Sequence, residues 1–375
     1  MIHAALITPP DDVVVTPLHG ADIAAALGRS GRAQPMADLA TDGDIASAPK
    51  VELHVHLNGS INEPTASALA RRHGADPSTA LSLVDGRYPG HYPDFKGFLD
   101  AYMAANQFVR TPDDLEQVAA EFALAQAAQN VVYSEAGFTA MIFVRNGMEP
   151  RAMWAALRRG LTAGGRETRV ALIVDTIRDL GTDEMNATIR LVEEADAPVV
   201  GLSLTGEAGR EPIEAFTGLR DAATRLGMRL EVHAGEHQPA SSIVDALDVL
   251  QSDRIGHGVT AIDDPMLLER LVRDQVPLDV CPSSNVAIGI FSSLEAHPFT
   301  TFWRTGVNMT ISSDDPPFMN TTLTDELRHV VRIAGLTRND LAELQRRGAR
   351  SSFAAPGIKA EIIATIDAWF AATAP

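Results

Sequence analysis

Eight short apolar runs rich in β-branched residues recur along this chain, at 51–55, 131–138, 170–174, 199–204, 229–232, 254–256, 276–280 and 307–311. Longer stretches of helical character separate them. Strands joined through helices run parallel, because each helix carries the chain back to the edge where the next strand starts. Eight such units predict an α/β fold that closes as a (β/α)8 TIM barrel, with its active site at the C-terminal ends of the strands. The competing arrangement is an open doubly wound sheet. No glycine-rich G-x-G-x-x-G follows the first run to favour it.

Helix punctuation supports the alternation. Thr111-Pro112-Asp113-Asp114 supplies an N-cap, a first-turn proline and acidic first-turn residues. Leu115, Val118, Ala119 and Phe122 then fall on one helical face. Pro212 opens another helical stretch that Gly227 closes, while Asp264-Pro265 and His297-Pro298 open two more. The 61–130 stretch is too long for one crossover and predicts extra helices after strand 1, beside the barrel mouth. Residues 1–48, rich in Ala, Asp, Gly, Thr and Pro without sustained periodicity, read as a loosely ordered N-terminal extension. One barrel domain, 49–375, follows.

Charge narrows the partners. Lys+Arg 31 against Asp+Glu 49 gives a net charge of -18, which argues against nucleic-acid backbones and anionic membranes. An aromatic fraction of 5% disfavours a surface that stacks single-stranded bases. The lone Cys281 excludes an internal disulfide framework and any Cys-rich zinc site, including the Pro-Cys-x-x-Cys centre of cytidine deaminases. It reads as a small buried core residue. No apolar run approaches the roughly 20 residues of a membrane-spanning helix, and the start lacks a signal-peptide pattern. A cytoplasmic protein with a small-molecule substrate is expected.

Several runs end in chemistry. The first closes on His54-Val55-His56, and residues two apart on a strand share a face. The fifth ends in His233-Ala234-Gly235-Glu236, the sixth in His257-Gly258, and the eighth in Ser312-Ser313-Asp314-Asp315-Pro316. One such residue is ordinarily structural, but four strand ends together point to a centre. Three imidazoles (His54, His56, His233) and one carboxylate (Asp314) form a nitrogen-rich set without thiolate, suited to zinc rather than magnesium or calcium. Glu236, His257 and Asp315 remain for proton transfer and substrate orientation.

These motifs, with Arg254-Ile-Gly-His257-Gly258 and Cys281-Pro-Ser-Ser-Asn285, resemble the adenosine deaminase family in the family's own order, over roughly residues 49–370. His297-Pro298 and Thr321-Thr322-Leu323 fit the same context. The resemblance implies one catalytic Zn2+ per chain held by His54, His56, His233 and Asp314. It also implies that Glu236 protonates purine N1 and that His257 orients and deprotonates the attacking water. Asp315 would bond N7, Gly206 would offer its backbone to N3, and His56 and Asn58 would contribute to substrate binding. The implied reaction turns a 6-aminopurine nucleoside, adenosine or 2′-deoxyadenosine first, into its 6-oxopurine and ammonia.

Departures bear on the substrate. Asn58 stands where Asp commonly contacts the sugar 5′-hydroxyl, and Gly137, after the second strand, stands where Arg is frequent. Ser203 and Thr205 replace the Asp and Ala often found before Gly206. Alternative substrates are adenine, 6-aminodeoxyfutalosine and N6-methyl-AMP, and a catalytically silent binding protein is the non-enzymatic rival. Gly160 to Gly165 lacks the Gly-Lys-Ser/Thr ending of a phosphate loop. His3, His19, His73 and His91 read as surface residues; His237, directly after Glu236, reads as structural, with support of the site as the alternative.

Overall fold

The computed structural model describes residues 39–206 and 211–372. Its strands are β1 (Lys50–His56), β2 (Val131–Phe138), β3 (Arg169–Ile177), β4 (Val199–Thr205), β5 (Arg229–Ala234), β6 (Arg254–His257), β7 (Leu278–Val280) and β8 (Met309–Ile311). All neighbours pair parallel in sequence order from β1 to β8. Closure comes from backbone bonds between β1 and the segment after β8. His56 N–H donates to Asp314 O at 2.8 Å, and Asp314 N–H donates to His54 O at 3.1 Å. This is the (β/α)8 barrel, not the open sheet.

The helices form where the punctuation places them. Thr111 and Asp114 make a capping box for the helix Pro112–Ala128, which buries Leu115, Val118, Ala119 and Phe122. Gly227, at φ 68°, ends the helix Gly218–Leu226 in the left-handed conformation that glycine adopts without strain. Asp264 accepts from the Met266 and Leu267 N–H groups to start Pro265–Asp274. The extra helices expected after strand 1 are Glu63–Arg72, Pro77–Ala80 and Phe95–Asn106. At the N-terminal ends of the first strands, Val51, Leu53, Tyr133 and Ala171 pack with residues of the helices Arg338–Ser351 and Pro356–Ala372. That end is sealed and the other stays open.

Residues 39–48 differ from a loose extension. Thr41 and Asp44 form a capping box on the helix Asp42–Ser47, and Ala40, Ile45 and Ala48 are buried. Lys50 Nζ ties this segment down by donating to the carbonyls of Ala46, Ala48 and Gln129. Residues 1–38, with His3 and His19, lie outside the described residues. Among the described residues no helix is long and apolar enough to cross a membrane.

Candidate active site

At the open end, β1, β5, β6 and the turn after β8 bring together the residues singled out in the sequence. His56 Nε2 lies 3.3 Å from Asp314 Oδ1 and 3.4 Å from His233 Nε2, and His54 Nε2 lies 3.7 Å from Asp314 Oδ1. Two glycines permit this crowding. A Cβ on Gly256 would stand 2.7 Å from His54 Cε1, and one on Gly137 would stand 2.6 Å from His56 Nδ1. Gly137 pairs with His56 inside β2, not after the strand, so a side chain there would displace the imidazole. His257 and Asp314 sit at φ 61° and 62°, a left-handed conformation that costs a non-glycine residue energy and clusters at functional sites.

The donor set fits a divalent metal. His54 Nδ1 is bonded to Glu231 Oε1 at 2.7 Å, which turns Nε2 inward, buried and without a partner. His56 likewise has Asp175 Oδ2 behind its Nδ1, at 3.6 Å. A carboxylate behind an imidazole is the usual arrangement for a metal-ligating histidine. Ligand atoms of His54, His56 and Asp314 lie within 4.8 Å of one another, as do those of His54, His233 and His257, and imidazole nitrogens beside a carboxylate oxygen suit zinc.

Next to this set lies a proton-handling group. Glu236 Oε1 is 3.5 Å from His257 Nε2 and 3.1 Å from Asn285 Nδ2. Burial, then the neighbouring Asp314, push the Glu236 carboxyl up to about 8, so it is an acid at neutral pH. Burial takes His257 down to about 3, leaving a neutral ring. Asp315 is also buried and pushed well up by burial and by Asp314, and its Oδ1 has no partner.

A cavity of about 480 Å³ opens above these groups. Phe95, Phe98, Leu99, Tyr102 and Met103 of the helix Phe95–Asn106 form one wall, and Thr205, Gly206, Asp315 and His237 also line it. No Lys or Arg lines it among the described residues. Asn58 lies apart from these groups. It is buried outside the lining, its Oδ1 accepting from Thr139 N–H at 2.9 Å and its Nδ2 donating to Asn106 at 3.2 Å. Both polar ends thus tie the loop after β1 to neighbouring elements. His237 rests its ring 5.0 Å from Phe95 at the cavity rim. His91 is exposed, but His73 is half-buried and bonded to Asp114 at 2.8 Å. Cys281 is buried, and burial raises its thiol well above the usual range.

Sequence reasoning missed the support beneath the centre. Glu231, two residues before His233, shares a face of β5 with it and bonds His54. Arg254, quoted only as part of a motif, is fully buried and pairs with Glu231, Glu135 and Asp279. The available signal was a charged residue at a period-two offset from a ligand.

Residues 49–369 match the family model described as adenosine deaminase. An aminodeoxyfutalosine deaminase of Streptomyces coelicolor is 35% identical over 364 residues, covering 93% of both chains. An adenine deaminase of the same organism is 33% identical, covering 86% of this chain and 95% of its own. The crystal structure of an adenine deaminase from Arthrobacter aurescens superposes with a TM-score of 0.79 at 29% identity, covering 86% of this chain and 99% of that one.

Proposed function

The chain belongs to the adenosine deaminase family, and from that premise we propose that it hydrolytically deaminates a 6-aminopurine, giving ammonia and the 6-oxopurine. One observation carries the reading. His56, His233 and Asp314 line one cavity together with the buried acid Glu236, and His54 stands directly behind them.

Deaminases of the amidohydrolase superfamily, which includes this family, are metal-dependent. Here His54, His56, His233 and Asp314 would hold one Zn2+ per chain, which when bound supplies Lewis acidity that makes water nucleophilic near neutral pH. Glu236 donates its proton to purine N1, making C6 electrophilic and offsetting the negative charge that addition creates. His257 and Asp314, 3.9 Å apart, orient the water and hold the proton it loses. That proton passes to the departing amine, which leaves as ammonia. The hydroxyl proton left on C6 restores Glu236. Asp315, kept neutral by burial, donates to N7, and the Gly206 backbone faces N3.

The relatives named above act on aminodeoxyfutalosine and adenine, which moves the substrate reading from adenosine toward these. A cavity of about 480 Å³ is far larger than a bare bicyclic base fills, which favours a nucleoside of the aminodeoxyfutalosine kind. Its apolar walls offer no described cation for a 5′-phosphate, which disfavours N6-methyl-AMP. Free adenine is the second reading, favoured by the likeness to adenine deaminases. The intact donor set and acid argue against a silent binding protein. The test gives zinc-loaded protein aminodeoxyfutalosine, adenine, adenosine, 2′-deoxyadenosine and N6-methyl-AMP, and follows ultraviolet absorbance and ammonia. No ammonia from any of them would refute the reading.

A further inference from the structure

Asn285 lies in a chain of hydrogen bonds that starts on the backbone and ends on both proton-handling groups. The Phe299 N–H can only donate, and it donates to His297 Nδ1 at 3.2 Å. His297 is buried beside Phe291 and Phe299, with ring centroids at 4.8 and 5.4 Å, and burial takes its pKa down to about 3. A neutral ring accepting at Nδ1 carries its proton on Nε2. That N–H donates to Asn285 Oδ1 at 3.1 Å. The fully buried carboxamide is therefore fixed one way round. Its NH2 faces Glu236 Oε1 at 3.1 Å and His257 Nδ1 at 3.3 Å.

We propose that Asn285, oriented by His297, sets the proton positions on both groups, holding His257 as the Nε2–H tautomer and Glu236 with its acid proton on Oε2. An amide NH2 has nothing to accept with, so His257 Nδ1 must be the bare nitrogen and the ring proton sits on Nε2. Glu236 Oε1 accepts from the same NH2, which leaves Oε2 to carry the acid proton. Asn285 and His297 are thus positioning residues, one step removed from substrate.

The chemical consequence rests on the deaminase reading; the tautomer does not. A His257 that presents N–H at Nε2 orients the water by donating to its oxygen and is not free to take its proton. Within the pair of His257 and Asp314, whose Nε2 and Oδ2 lie 3.9 Å apart, His257 is then the group that orients the water.

The test is made on full-length, zinc-loaded protein labelled with 15N-histidine, where two-bond 15N–1H spectra separate Nε2–H from Nδ1–H rings. The His257 signal is identified by its loss in His257→Gln. The wild type should show Nε2–H. In Asn285→Asp an acceptor replaces the donor, so the ring should change to Nδ1–H, with kcat down about 10- to 100-fold, KM within about threefold and zinc content unchanged. His297→Leu should lose kcat similarly, whereas His297→Gln, which still donates to Asn285, should stay within about threefold of wild type. An Nδ1–H ring in the wild type, or Asn285→Asp with tautomer and kcat unmoved, overturns the proposal. If no aminopurine is turned over, the deaminase reading fails while the tautomer result still decides this one.

Discussion

Replacing Arg254 by Met probes the charged cluster beneath the donor set. The guanidinium is fully buried, pairs with Glu135 at 2.6 Å, Glu231 at 2.5 Å and Asp279, and stacks 4.1 Å from the Phe353 ring centroid. It also donates to Leu53 O at 3.2 Å, so one side chain of β6 touches β1, β2, β5 and β7. Met fills much of the same space without the charge and leaves three buried carboxylates uncompensated. Removing one partner of a buried pair costs roughly 3–5 kcal/mol, and three orphaned partners put this case at the upper end. Protonation relieves part of that loss. Asp279 is already pushed up to about 6 by burial, while Glu231, in spite of burial, is held well below the usual range by Arg254 and His54. Without Arg254 these carboxyls rise. A raised carboxyl contributes stability that is complete below its unfolded pKa and disappears as pH climbs through the folded one. The deficit against wild type should therefore be small at pH 5 and largest near pH 8. Urea unfolding of zinc-loaded proteins at both pH values measures it. A deficit below about 1 kcal/mol at pH 8, or one equal at the two pH values, refutes the reasoning.

Three further outcomes are expected. Glu236→Gln should keep zinc and fold while kcat drops about 10²- to 10⁴-fold, and parallel loss of metal and rate would show Glu236 to be a ligand. His54→Ala, His56→Ala, His233→Ala and Asp314→Ala should each lose most zinc by elemental analysis and nearly all turnover; full activity in metal-free His233→Ala protein contradicts the assignment. Burial pushes Glu326, bonded to Ser283 and Thr321, up to about 7. Its stabilising neutral form is complete below about pH 4.5 and lost through pH 7, so Glu326→Gln should gain on wild type by on the order of 3 kcal/mol between those limits in unfolding experiments, and no gain refutes the shift.

Much of this molecule is legible in its sequence for identifiable reasons. Strands in a parallel barrel are buried on both faces and read as continuous apolar runs, so 131–138 coincides with β2 and 199–204 falls one residue short of β4. The ligands are legible because strand ends concentrate them in short motifs. The interior charge is not, since Glu135, Glu231, Arg254 and Asp279 lie on four strands and only closure of the barrel makes them one cluster. The surroundings of Asn58 are hidden for a related reason. Its place in the motif points to the substrate, but its partners Thr139 and Asn106 are 81 and 48 residues away. The Asn285–His297 pair spans only 12 residues, yet a rotation of the amide that no sequence encodes decides its meaning.

The seam between β1 and β8 runs through the donor set itself, because the Asp314 N–H that closes the ring bonds the carbonyl of His54. A chain that has laid down its first seven strands therefore has three imidazoles but no complete centre. The last and most distant contact in the topology, the slowest kind to form, creates it. A metal ion bound there acts as a clasp on the finished ring. It stabilises the closed form by mass action and contributes nothing to partly wound intermediates. Loading should accordingly slow unfolding much more than it speeds folding, so that for this barrel metal supply governs lifetime as well as turnover.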